Sequence, residues 1–304
     1  MKTFLLFYIV SFLFLPGEVF AKNQTESCGL KCHINPKFTK EDKRTLEECV
    51  HCHSSTLHKA SDEVEVTALN PDNNKSLEKM AHIPEGEFVM GTDDRLRDEK
   101  PAHVVYIDGF YIDLYEVTNE DYKKFVDHTD YPPPDHWKGG SYPESIAQHP
   151  VVFVSWIDAN NYCKWAGKRL PREMEWEKAA RGTDALVYPW GNDWDMHKSN
   201  NPLRELNNTQ PVGTYEKGKS PYGLYDMSGN VWEWIDDHYY AHPGSDYVSP
   251  EFGNKYQLLK GGSFWDCSAY GCGISAPTYN RAFFEPPVKG KTYGFRCAKD
   301  KDEN

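Results

Sequence analysis

Two closely spaced cysteine pairs near the N-terminus have the residue types needed to attach a haem. The run from Cys49 to His53 reads C-V-H-C-H, which is the spacing of c-type haem attachment. Two thiols one helical turn apart can form thioethers with the two vinyl groups, and the next residue, His53, is placed to ligate the iron. We therefore expect a haem c bound by Cys49, Cys52 and His53.

A second, longer pair lies upstream of the first. Cys28 and Cys32 are spaced C-x-x-x-C, and His33 follows directly. Because the two pairs share one short segment, we expect a second haem c on Cys28 and Cys32, with His33 as its proximal ligand. Two disulfides or a zinc ribbon are the open alternatives for the four cysteines, although neither explains a histidine after each pair.

The first residues of the chain predict export. Lys2 precedes a short apolar run over residues 4–15, and small residues surround a cleavage position after Ala21. This order is typical of a signal peptide, and the run is too short to span a bilayer comfortably. We expect a periplasmic or otherwise exported protein with no membrane attachment after cleavage; an uncleaved anchor is the alternative. An oxidising compartment would also give the cysteines a role.

Composition excludes several classes of protein. The 304 residues carry a net charge of −12, so nothing gathers phosphates and we expect no nucleic-acid partner. Hydrophobic residues make up 39% and charged residues 26%, which excludes disorder of the whole chain. Aromatic residues reach 14%, and 22 Gly and 20 Pro accompany them, which indicates a loop-rich domain packed with aromatic side chains.

The pattern along the chain predicts three segments. Residues 1–21 form the signal peptide, 22–80 the haem-binding segment with a polar linker, and 81–304 a larger domain. In that domain, turn residues and alternation predict strands over 83–91, 104–106 and 110–112. Capping residues and terminal glycines predict helices over 118–125, 158–166 and 172–181.

Ordered motifs over residues 82–299 resemble the formylglycine-generating enzyme (sulfatase-modifying factor) family. They read HPVVFVSW at 149–156, WAGKRLP at 165–171, YGLYDMSGNVWEW at 222–234, GGSF at 261–264 and YGFRC at 293–297. The resemblance implies an α+β, C-type-lectin-like fold with little regular secondary structure, preceded here by the small haem-binding segment. Fold does not fix function, so the residues of each site must indicate its chemistry.

The resemblance implies a copper site at a pair of cysteines. Cys267 and Cys272 keep the C-x4-C spacing that follows Gly-Gly-Ser in the family, although one more residue separates Ser263 from Cys267 here. Soft thiolates select Cu(I) and leave a face open for a substrate thiol and O2. In this interpretation Cys267, Cys272, Ser263 and Trp232 are the catalytic residues, with the last two lining an oxygen pocket. A plain disulfide between the two cysteines is the alternative.

The resemblance also implies a calcium site. Its ligands would be the carboxylates of Asp226 and Glu233 and the backbone carbonyls of Gly229 and Val231, since hard oxygen ligands suit that ion. The alternative is that Asp226 caps a turn and Glu233 pairs with a base.

One further implication of the resemblance concerns stability. Cys163 and Cys297 match a disulfide-bonded pair, which would close a long loop.

These expectations combine into one functional hypothesis. The sequence predicts an exported c-type cytochrome fused to a formylglycine-generating-enzyme-like domain. It would act in electron transfer with a periplasmic redox partner and use copper and O2 to oxidise a cysteine or another thiol. The alternatives are a non-catalytic scaffold or maturation module of a periplasmic redox complex, and a calcium-stabilised binding protein.

Overall fold

The computed structural model describes residues 79–265 and 276–301. The predicted signal peptide, both predicted haem motifs, Cys267 and Cys272 lie outside the described residues. Within them the strands are β1 Met80–Ile83, β2 Gly86–Met90, β3 His103–Ile107, β4 Phe110–Asp113, β5 Trp232–His238, β6 Gln257–Lys260, β7 Ala282–Phe284, β8 Tyr293–Gly294 and β9 Ala298–Asp300. The α-helices are α1 Asn119–Thr129, α2 Trp156–Trp165 and α3 Glu173–Arg181.

The strands form three small sheets. β4 lies between β1 and β9, β2 pairs with β3, and the largest sheet has the order β7-β6-β5-β8. Neighbouring strands are antiparallel except for β5 and β8, which run parallel. Loops and single 3-10 turns connect these short elements. The fold has mixed helix and sheet content, as predicted. No helix in residues 79–265 or 276–301 is long and apolar enough to cross a membrane.

Side-chain caps fix where the helices begin. Thr118 caps α1 by accepting a hydrogen bond from the Asp121 amide at 3.1 Å. Ser155 and Asp158 form a reciprocal capping box at the start of α2. The helix after it, α3, ends at Gly182, which adopts φ +68°. These local signals explain why the three predicted helices are confirmed within a few residues.

The predicted strand over 83–91 is confirmed as β2 over Gly86–Met90, whereas its first residue, Ile83, ends β1 in a different sheet. Pro84 follows the last residue of β1, and Gly86 begins β2 with φ +130°. A proline cannot continue a strand ladder, and only glycine adopts such a φ readily, so the chain turns here from one sheet to the next.

Two hydrophobic cores lie on either side of β5. One contains the aromatic residues of α1 and α2, and the other contains Trp176 of α3 with the inward residues of β1, β2 and β6. Neighbouring β5 residues enter different cores, because Trp234 belongs to the first and Ile235 to the second. The first core also holds a disulfide between Cys163 and Cys297, which joins α2 to the start of β9. This bond confirms the predicted pairing.

Candidate functional site

A small pocket lies beyond the end of β6, where the chain runs through Gly261 and Gly262 to Ser263. Its lining residues are Trp194, Asn201, Pro202, Gly229, Gly261, Gly262, Ser263 and Ala276. Ser263, one of the predicted catalytic residues, is therefore at the pocket wall.

Ser263 holds the chain that leaves this pocket. Its hydroxyl donates to the Trp265 carbonyl at 2.7 Å and accepts from the Trp265 amide at 3.2 Å. The Lys291 ammonium lies 3.9 Å from the Trp265 ring centroid and covers that ring. Trp265 is thus held by Ser263 through hydrogen bonds and by Lys291 through its ring.

Cys267 and Cys272 lie in the segment between Trp265 and Ala276. Both cysteines lie outside the described residues, so their separation and their bonding are not described. The described flanks are Trp265, held by Ser263, and Ala276, which lines the pocket and accepts a hydrogen bond from the Ser228 hydroxyl at 2.8 Å.

Trp232 is not one of the residues that line the pocket. It starts β5, is buried in the first core, and its amide donates to the Thr292 carbonyl at 2.8 Å. The structure thus brings Ser263, but not Trp232, to the pocket surface.

Glycines allow two backbone segments to cross at the pocket. The Gly229 amide donates to the Gly261 carbonyl at 2.7 Å, and both residues have positive φ, +97° and +95°. A Cβ on Gly229 would lie 2.3 Å from the Asn200 carbonyl oxygen, so no larger residue fits without displacement. The loop over 226–231 therefore packs closely against the end of β6.

Glu233, one of the predicted calcium ligands, forms an ion pair with Arg296. Its two carboxylate oxygens each accept a hydrogen bond from Arg296 at 2.7 Å, and the Trp176 indole donates to Oε2 at 2.9 Å. This geometry agrees with the open alternative in which Glu233 pairs with a base. A carboxylate held in this way has little capacity left for an ion.

Asp226 and Glu116 form the remaining acidic part of this region. Asp226 accepts one hydrogen bond from the Gly213 amide at 2.7 Å, and burial raises its pKa to about 6. Burial, followed by repulsion from Asp226 and Glu233, raises the pKa of Glu116 well above its ordinary value. Glu116, the first residue of the sequence E-V-T-N at 116–119, was not among the predicted ligands.

Several oxygen atoms near Asp226 are candidate calcium ligands. In the part of the chain that the structure describes, no group of three or more His, Cys, Asp or Glu side chains could hold a metal ion alone. Two buried oxygens nearby, Oε1 of Glu116 and Oδ1 of Asn200, have no hydrogen-bond partner. Orphaned acceptors beside an acidic group fit a hard cation that also draws on amide and carbonyl oxygens.

A second buried ionic network, which the sequence did not reveal, lies around α3. Arg281 donates to both oxygens of Glu173, at 2.8 and 3.0 Å, and Glu177 pairs with Lys260 and Arg181. Burial alone would raise the pKa of Glu173, but Arg281 and Lys260 outweigh it and lower that pKa to about 2. The network ties α3 to β6 and to the residue before β7, behind the pocket.

Fold and site together define a loop-rich α+β domain with a glycine-lined pocket beyond the end of β6. The chain belongs to the sulfatase-modifying factor enzyme 1-like domain family, whose match spans residues 65–301. This confirms the family predicted for the C-terminal domain.

The relatives include active and inactive proteins. The chain is 33% identical over 290 residues to the formylglycine-generating enzyme of Mus musculus, with 74% of this chain and 76% of that protein covered. It is 32% identical over 273 residues to the inactive C-alpha-formylglycine-generating enzyme 2 of Mus musculus, with 72% and 85% covered. The solved structure of PvdO from Pseudomonas aeruginosa matches with a TM-score of 0.59 at 28% identity, covering 73% of this chain and 94% of that one. Similarity alone therefore does not decide between a catalytic and a non-catalytic role.

Proposed function

We propose that this protein is an exported c-type cytochrome whose C-terminal domain oxidises a thiol with copper and O2. The observation that carries the proposal is the position of the Ser263 pocket next to the residues that flank positions 266–275, which contain Cys267 and Cys272. The two described flanks of those positions, Trp265 and Ala276, are held by hydrogen bonds to Ser263 and Ser228. The similarity to a formylglycine-generating enzyme over most of both chains supports the same activity.

Cys267 and Cys272 would hold the copper. Thiolates are soft ligands that favour Cu(I), and copper bound by them would supply the capacity to activate O2. Ser263 would keep the start of the loop in place through its two hydrogen bonds to Trp265. A substrate thiol would approach over the pocket that Ser263 and Trp194 line.

The haem segment would supply the reducing equivalents. Oxidation of a cysteine side chain to an aldehyde by one O2 yields hydrogen sulfide and water only if two electrons and two protons are added. Two haems c, one at Cys49, Cys52 and His53 and one at Cys28, Cys32 and His33, each carry one electron. A periplasmic redox partner would reduce them, and the acidic chain favours a basic partner surface.

Oxygen uptake by the mature full-length protein tests the proposal. With copper, a thiol peptide and a reductant present, we expect the wild type to consume O2 and Cys272→Ala to lose both copper binding and turnover. Ser268→Ala, in the same loop, is the matched control and is expected to keep both. Turnover that survives Cys272→Ala, or that is absent from the wild type loaded with copper, would contradict the proposal.

A non-catalytic role is the second candidate. Its support is the comparable similarity to a relative named inactive and the additional residue between Ser263 and Cys267. In that role the domain is a scaffold or maturation module of a periplasmic redox complex, or a calcium-stabilised binding protein. The same experiment separates the two candidates, because a scaffold takes up no O2 and its haem titrates normally in the Cys272→Ala variant.

Calcium completes the proposal as a structural ion. Asp226 and the backbone carbonyls of Gly229 and Val231 would contribute oxygen ligands from the tight loop beside the pocket. An ion there would stabilise the segment that crosses the end of β6, which also positions Gly261 and Ser263.

A further inference from the structure

The outer face of the two-stranded sheet formed by β2 and β3 exposes apolar side chains. Val104 and Tyr106, two positions apart on β3, are 63% and 60% exposed, and Val89 of β2 lies directly opposite Val104 on the same face. The other face of this sheet packs into the second core through Phe88 and Met90. Apolar side chains that are exposed together on one face, unlike single ones, indicate a surface to which another group binds.

A cavity continues this outer face toward the start of α3. It has a volume of about 170 Å³, and Tyr106 lines it together with Asp108, Arg172 and Met174, among other residues. The exposed face therefore has beside it enough room for one large side chain of a bound partner.

Two exposed carboxylates stand at the end of this sheet nearest Tyr106. Glu85 precedes β2 and Asp108 follows β3, and the adjoining residues Gly86 and Ile107 are paired across the two strands. Neither carboxylate pairs with a base in residues 79–265 and 276–301. Negative charge next to apolar side chains favours a partner that combines basic and apolar residues.

This charge disfavours three kinds of occupant. A second copy of the chain, docked through the same face about a two-fold axis, would bring Glu85 and Asp108 close to the same carboxylates of its partner. Nucleic acid and anionic lipid carry negative charge as well. A basic polypeptide segment is the occupant that the face fits.

The chain itself contains such a segment within reach. Residues 31–44 have five basic and two acidic residues, together with Ile34 and Phe38, in a chain whose net charge is −12. Residues 45–78 connect this segment to β1, and 34 residues of flexible chain would span about 30–35 Å on average. The four residues of β1, which lead directly to β2, cover only about 13 Å. The connection is therefore long enough for residues 31–44 to contact β2 and β3.

We propose that residues 31–44 dock on the outer face of β2 and β3 in the same chain. Their apolar side chains would contact Val104 and Tyr106, and their basic side chains would pair with Glu85 and Asp108. Because the segment is tethered, its effective concentration is on the order of millimolar, so modest contacts suffice. The inference goes beyond the proposed function, and it requires neither haem nor copper. It would bring the two predicted haem motifs, which adjoin this segment, to one side of the C-terminal domain.

Carbodiimide crosslinking of the mature full-length protein tests this interface. The reagent joins a lysine directly to a carboxylate that it contacts, so we expect links from the lysines of residues 31–44 to Glu85 or Asp108. Val104→Arg adds a positive charge to the face, leaves both carboxylates in place and adds no reactive amine. We expect roughly fivefold fewer links in that variant. Leu203→Arg, at another exposed apolar residue, is the matched control and should crosslink as the wild type does.

Isotope mixing identifies the occupant of the face. In a mixture of labelled and unlabelled protein, links within one chain contain no mixed pair of peptides, which is the result we expect. Mixed pairs would show that a second copy binds there, and the proposal would then be wrong. It would also be wrong if residues 31–44 formed no link to either carboxylate, or if Val104→Arg crosslinked as fully as the wild type. Because the links need no haem, copper or calcium, failure of the proposed function would leave this result unchanged.

Discussion

Arg296 and Glu233 form a two-pronged ion pair in the interior, with Nε to Oε2 and Nη2 to Oε1 both 2.7 Å apart and neither side chain exposed. Arg296 also donates to the backbone carbonyls of Asp113, Leu114 and Tyr225. One guanidinium thereby joins β4, β5 and Tyr225, the residue before the loop over 226–231. The pair explains why a carboxylate expected to bind calcium is instead part of the fold's framework.

Removal of one partner should destabilise the domain strongly. Glu233→Gln removes the carboxylate that accepts two charged hydrogen bonds from Arg296, and we expect the free energy of unfolding to fall by about 3–5 kcal/mol. The exposed pair of Lys123 and Asp127 on α1 is the control, and Asp127→Asn should cost about 0–1 kcal/mol. Chemical denaturation of the two variants measures both values. Equal costs would show that the buried pair is not the framework described here.

Loss of the disulfide should also be costly. Cys163 and Cys297 are 134 residues apart, and a loop of that length constrains the unfolded chain by about 4–5 kcal/mol in the chain-entropy model. We expect the double variant Cys163→Ala/Cys297→Ala to lose about that much, as measured by urea unfolding. A reductant should lower the stability of the wild type and change the variant little in this domain. A loss below about 1 kcal/mol would exclude an important contribution of this bond.

Stability should depend on the protonation of Glu99. Burial raises the pKa of Glu99 to about 7, against an ordinary value of 4.5, even though Arg95 acts to lower it. Between these two values the folded state holds a proton that the unfolded state releases, so the free energy of unfolding falls as pH rises from 4.5 through 7. For Glu99→Gln we expect the decrease in the free energy of unfolding with rising pH to be smaller by roughly 2 kcal/mol.

The measurement for Glu99 is the difference in unfolding free energy between about pH 5 and about pH 8, which bracket most of that fall. Glu87, exposed in β2, provides the control, because Glu87→Gln removes a carboxylate that solvent surrounds. The control should keep the wild-type slope. A slope that Glu99→Gln leaves unchanged would assign the pH dependence to other groups.

Ser263→Ala should affect activity more than stability. The substitution removes both hydrogen bonds to Trp265, so we expect a cost of about 0.5–1.5 kcal/mol. We also expect slower thiol oxidation and faster proteolytic cleavage within 266–275, because the start of that loop is no longer held. Ser245→Ala removes a similar hydrogen bond, to the Tyr247 amide, away from the pocket and should leave activity unchanged. Wild-type turnover in Ser263→Ala would contradict the anchoring role.

Local chemistry made the helices predictable. Thr118 and Gly182 act on their own few residues, so the start of α1 and the end of α3 follow from the sequence alone, whereas α1 continues four residues beyond its predicted end at 125. The start of the predicted strand over 83–91 was less local. Only the pairing of Ile83 with Phe110 of β4, and of Gly86 with Ile107 of β3, shows that the chain changes sheets at Pro84 and Glu85.

The site was less predictable because its paired residues are far apart in the sequence. Arg296 is 63 residues from Glu233, and Glu116 is 114 residues from the Asn230 side chain that contacts it. No periodicity or spacing brings such residues together. The motif order identified the family and placed Ser263 near a cysteine loop, but the choice between calcium and arginine as the partner of Glu233 needed coordinates.

The intact mass of the mature protein, made in a host that matures c-type cytochromes, tests the central claim most directly. It gives both the number of bound haems and the number of disulfides among the eight cysteines. The proposal predicts cleavage after Ala21, one or two haem increments, one disulfide at Cys163 and Cys297, and free thiols at Cys267 and Cys272. A mature chain without any haem increment and with four disulfides would contradict it and would leave a calcium-stabilised binding protein.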